Sequence, residues 1–109
     1  MDINIFVNEL EELEKTINDI IVVIENNITD GISKMDVLIN AIKNIMPEWT
    51  YFINETQIGN IEDVFLILED INKGIEASDS VLLLDALEYG LSSMVLEYIG
   101  IIKEALYEE

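Results

Sequence analysis

Glu62, Glu69 and Glu76 recur at seven-residue intervals with Asp63 and Asp70 beside them, and these carboxylates are the groups whose type and spacing could do chemistry. On a helix, seven residues are close to two turns, so the three glutamates fall in one row. Such a row could bind a divalent cation loosely through oxygen or dock a basic partner, and a carboxyl pair for acid–base hydrolysis could arise wherever two acids of the chain face each other across a cleft. A solvated face that keeps an apolar protein in solution is the plain alternative. Lys73 is the one cation set among them.

The remaining inventory narrows these uses. The chain of 109 residues has 23 Asp and Glu against five lysines, for a formal charge of -18, and it contains no arginine, histidine or cysteine. Ser-His and Cys-His triads, thiolate or imidazole zinc sites, and the Glu-x-x-His pairs of di-iron bundles therefore have no residues to build them. A calcium loop opening at Asp70, Asn72 and Gly74 fails in register, because the positions that need glycine and glutamate hold Ile75 and Val81. The five glycines are isolated, so no phosphate-binding loop exists. Negative charge without arginine also repels nucleic acid and anionic lipid. These absences predict a protein that is not an enzyme, takes no cofactor and holds no metal. A protein partner is left, with a homodimer as one form of it.

A second feature sits near the C-terminus. Leu82, Leu83, Val95, Leu96, Ile99, Ile102 and Leu106 flank an apolar seam, so between Val95 and Ile102 much of the helix circumference is greasy. An amphipathic helix needs roughly three apolar positions in seven, and this segment exceeds that. The excess is either buried at the centre of a bundle or exposed for a partner. Val95, Leu96, Ile99 and Ile102 are accordingly the apolar candidate surface, and Glu62, Asp63, Glu69, Asp70 and Glu76 the acidic one.

Four apolar ladders position both surfaces. Ile3, Phe6, Leu10, Leu13, Ile17, Ile20 and Ile24 step by three and four, predicting a first helix from about Asp2 to Asn26. A turn is expected over Asn26 to Gly31. The second ladder, Ile32, Met35, Ile39, Ile42, Met46, Trp49 and Ile53, starts at a capping box formed by Ser33 and Asp36 and ends near Glu55. Pro47 lies inside it without disturbing its phase, which predicts one helix kinked near Pro47. The third runs from about Asn60 to Ala77 on Ile61, Val64, Phe65, Leu68, Ile71 and Ile75. The fourth, capped by Ser78 or Asp79, has its seam at Leu84, Leu87, Leu91, Met94, Tyr98, Ile101 and Ala105. Trp49, Phe52, Phe65, Tyr89 and Tyr98 lie on or beside the ladders and read as core, with Tyr89, next to Glu88 and half a turn from the seam, expected to keep its hydroxyl in water. Short connections make the expected fold a single all-α domain over residues 1–109, a four-helix up-down-up-down antiparallel bundle.

The run Asp79, Ser80, Val81, Leu82, Leu83, Leu84, Asp85, Ala86, Leu87, Glu88, Tyr89 resembles a segment of small acidic helical proteins from low-GC Gram-positive bacteria. The resemblance implies an acidic helical protein and brings no activity with it. The acidic start, without a basic region leading into an apolar run, predicts a cytoplasmic location. The expected function is a protein-interaction or assembly module. The alternative is a small acidic export chaperone that holds an apolar helical client.

Self-repulsion among so many like charges sets one expectation at once. Raising ionic strength to about 0.15 M, where the screening length is about 8 Å, should raise the thermal midpoint. A midpoint that falls with salt in a calorimetric scan would show that specific ion pairs outweigh repulsion.

Overall fold

A computed structural model describes residues 2–107, with side chains through residue 105. Among the described residues the secondary structure is all helical. Helix α1 (Ile3–Asn26) begins where Asp2 accepts hydrogen bonds from the backbone N–H groups of Asn4 and Ile5, at 2.9 and 3.4 Å. Its predicted ladder is the observed one: Phe6, Leu10, Leu13, Ile17, Ile20 and Ile24 are all buried, and Ile3 is partly so.

Helix α2 (Ile28–Thr56) starts earlier than its predicted start at Ile32. The turn is a single residue, Asn27, whose side chain accepts from the N–H groups of Thr29 and Asp30 at 2.9 and 3.2 Å. Ser33 forms no capping box; its hydroxyl donates to the Asp30 carbonyl at 2.8 Å. Gly31, which reads as turn chemistry, is instead a packing residue, because a Cβ there would overlap the Ile24 side chain. Helix α2 continues through Pro47 to Thr56, and its 29 residues at about 1.5 Å each match the 46 Å long axis of the molecule.

Helix α3 (Ile61–Ala77) is capped by Asn60, which accepts from the N–H of Glu62 at 2.9 Å. Ser78, left-handed at φ 49°, closes it, and Asp79 opens α4 (Ser80–Asp85) by accepting from the N–H of Leu82 at 3.1 Å. A π-helical segment (Ala86–Ser92) and α5 (Ser93–Tyr107) follow without interruption, making one fourth rod.

Neighbouring helices meet in opposed numerical order. On α1 and α2, Gly31 packs against Ile24 and the rings of Phe6 and Phe52 lie 5.3 Å apart. On α3 and the fourth rod, Gly74 packs against Leu83 and Gly90 faces Ile67. Helix α1 packs along both α2 and the fourth rod, whereas α3 packs mainly on α4 and the π segment and touches α2 only sparsely. At one end Tyr98 joins three elements: its ring stands edge-on to Trp49 at 5.3 Å and to Phe52 at 5.9 Å, and its hydroxyl donates to the Ile58 carbonyl at 3.2 Å. Burial pushes that hydroxyl above the usual phenol range. Gly59, at φ +84°, leaves the space the hydroxyl occupies. Among the described residues no helix is long and apolar enough to cross a membrane.

Two glycines separate packing from propensity. Gly31→Ala should destabilise by about 1–3 kcal/mol despite the better helix former, because the buried Ile24 must move. Gly100→Ala, with nothing within 4 Å of the added methyl, should stabilise by about 0.5–1 kcal/mol. Chemical denaturation of both variants checks the opposite signs.

Candidate partner groove

Sparse contact between α2 and α3 leaves an apolar trough of about 310 Å³ between them. Met35, Ile39, Ile42 and Met46 form one wall, Phe65, Leu68 and Ile71 the other, with Lys43 and Asn72 at the margins. Helix α3 fully buries only Val64, Ile71 and Gly74. Phe65, expected in the core, is 54% exposed, and Leu66 beside it is 58% exposed. The reason is geometric: α3 turns its other side toward the fourth rod, so the Phe65 edge faces a gap.

The acidic candidates divide between two sides of α3. Glu62, Glu69 and Glu76 lie three or four residues from Phe65 or Asn72 and continue that edge outward, so their row is the solvent rim of the trough. All three are exposed, and Glu69 meets Lys73 in an exposed pair at 3.5 Å. Asp63 and Asp70 fall on the far side; Asp63 lines a separate small crevice with Tyr98 and Gly59. Among the described residues no three carboxylates group closely enough to hold a metal ion.

The apolar candidates of the last helix are placed differently from expectation. Val95 and Ile102 are buried in the core and are not surface residues; Ile99 is half-buried, and Leu96 alone stands out at 52% exposure. The side chain of Leu106 lies outside the described residues. Leu87, Leu91 and Tyr98 of the predicted seam are buried, but Leu83, Val95 and Ile102 complete it in place of Leu84, Met94, Ile101 and Ala105. In an α-helix each step of four residues overshoots a turn by about 40°. The wider π turns between Ala86 and Ser92 absorb that drift and keep the run of fourth residues facing α1. Because the segment is apolar nearly all round, its sequence could not reveal the phase. The α2 wall was equally hidden. Leu38, Ile45 and Phe52 form a second buried stripe beside Met35, Ile42 and Trp49, and this doubling was the available signal that α2 faces two neighbours.

Polar contacts also bridge helices elsewhere. The Ser92 hydroxyl, carried inward by the π segment, donates to Glu14 Oε1 on α1 at 2.7 Å, and Asn18 donates to the same oxygen at 3.0 Å. Between α1 and α2 the carboxyls of Glu9 and Glu48 meet. A hydrogen bond to Glu48, aided by burial and by the Glu48 charge, pushes Glu9 up to about 7. Two carboxylates are both acceptors, so the contact holds only with a proton between them, and Glu48 Oε2 has no other donor. Glu9 walls an open dent of about 410 Å³ in which polar Asn8, Glu12, Thr16 and Asn44 alternate with apolar Ile5, Leu13, Ala41 and Ile45. Carboxyls in direct contact leave no room for the sugar or water that separates a glycosidase pair.

Since Glu9 titrates higher folded than its ordinary 4.5, its contact is complete at low pH and is lost as pH rises through about 7. Between about pH 5 and about pH 8 the thermal midpoint of the native chain should therefore fall more than that of Glu9→Gln, whose amide keeps a donor at every pH. Parallel melting curves would refute the shared proton. Comparison with protein-family models, curated proteins and solved structures finds no match to this chain.

Proposed function

We propose that the chain is a non-enzymatic, cytoplasmic protein-binding module that seats a partner protein in the groove between α2 and α3. One observation carries this reading: an apolar trough of about 310 Å³ stands open with Phe65, more than half exposed, on its wall, and the exposed Leu66 follows it in sequence. Adjacent large apolar side chains left in water cost a folded monomer free energy that a partner recovers by covering them. The fold that presents the trough is an up-down-up-down antiparallel bundle with α2 bent near Pro47. Opposed numbering of the helix contacts supports the first part, and the hydrogen bond lost at proline, with its ring against the preceding turn, supports the second.

Met46, partly exposed in the wall, favours the chaperone form of the reading. Unbranched thioether side chains repack around clients of differing shape, as a holder of aggregation-prone helices requires.

The test is a photo-crosslinking side chain introduced at position 65 and, as control, at the exposed Val22 of α1. In cells, position 65 should give a discrete heavier band and position 22 none. No band at 65, or equal bands at both, would overturn the groove as the binding site.

A further inference from the structure

We infer that the groove's occupant is a basic amphipathic helix, whose apolar anchors fill the trough while lysines or arginines at seven-residue spacing meet Glu62, Glu69 and Glu76. This deepens the groove reading and rests on it.

Shape fixes the class of guest. The trough is at the small end of pockets that enclose whole ligands, so it receives anchor side chains from an element lying across its mouth. From Met35 to Met46 it extends about 17 Å along α2, roughly three helical turns. Both walls are helices whose backbone groups are paired within the helix, save the Lys43 carbonyl left by Pro47, and the polar side chains at its margin are Lys43 and Asn72. An extended peptide pressed into this trough would bury more N–H and C=O groups than these could satisfy; a helix brings its own hydrogen bonds.

Charge fixes the sign. Glu62, Glu69 and Glu76 recur about 10.5 Å apart, the spacing at which flanking positions of two packed helices face each other heptad after heptad. Their row drifts by only about 20° per heptad, so all three stay on the rim. On the α2 side the trough carries the single cation Lys43 against three glutamates on the α3 side, and Lys73 is already beside Glu69. A second copy of this chain would bring another -18 to the same edge, so a basic guest is favoured over self-association.

Two synthetic peptides of three heptads, identical in their leucine anchors and carrying lysine or glutamate at the flanking positions, test the inference by fluorescence anisotropy at about 0.15 M salt. With the full chain, the lysine peptide should bind at least about tenfold more tightly than the glutamate peptide. The triple variant Glu62→Gln, Glu69→Gln, Glu76→Gln should weaken the lysine peptide by about tenfold. Removing the same number of charges from α1, at Glu12, Asp19 and Glu25, should change it by less than about twofold. Equal effects of the two triple variants would overturn the inference, because general attraction to an acidic protein would then account for binding. So would a glutamate peptide that binds as well as the lysine one and is lost on Phe65→Asp, which leaves the groove reading intact. If neither peptide binds, or binding ignores Phe65→Asp, the groove reading fails with it.

Discussion

Everything in this protein depends on the buried stripe of α1. Its shell carries 23 carboxylates against five lysines, so long-range electrostatics push the helices apart. Phe6, Leu10, Leu13, Ile17, Ile20 and Ile24 oppose that push by lying against both α2 and the fourth rod, almost wholly removed from water. Each such side chain contributes about 1.5–3 kcal/mol when fully buried, more than an exposed ion pair at about 0–1 kcal/mol. The ion pair of Lys103 with Glu11 between α5 and α1, at 2.9 Å, is partly exposed and adds little beside this.

The polar bridges are set where that apolar contact leaves them room. Ser92 reaches Glu14 because the π segment turns a serine inward at a level where an α-helix with the same sequence would present a different side chain. Glu9 and Glu48 face each other along the α1–α2 seam, where packing brings two acids together and a proton is the cheapest way to keep them there. Neither contact is local: 78 residues separate Ser92 from Glu14. Carboxylate pairs and buried serines of this kind leave no periodic trace along a chain.

What the sequence made legible follows the same physics. The ladder of α1 reads correctly because its seven members keep one helical phase, although Val7 and Ile21 beside it are also buried and Ile5 and Val22 stand exposed. Helix α2 reads correctly in type, but Gly31 looks like a turn until its contact with Ile24 is seen, and its two apolar stripes collapse into one on paper. In the last helix, apolar residues on nearly every face erase the phase, and Val95 and Ile102 pass for surface although they are core. The acidic row of α3 was visible from its spacing. Its neighbour Phe65 was assigned to the interior, because burial depends on which helix stands opposite and α2 stands too far away.

That distance gives the groove a mechanical character. Its two walls are held by different neighbours: α2 lies on α1, and α3 hangs on the fourth rod, with the Tyr98 hydroxyl tied to the Ile58 carbonyl at the connecting loop. No strong direct contact sets the gap between them. The width of the groove is therefore its least braced dimension, fixed through α1 and the fourth rod and hardly at all across the gap itself. A densely packed seam and a sparsely braced mouth coexist in the same 109 residues because they are built on different helix pairs.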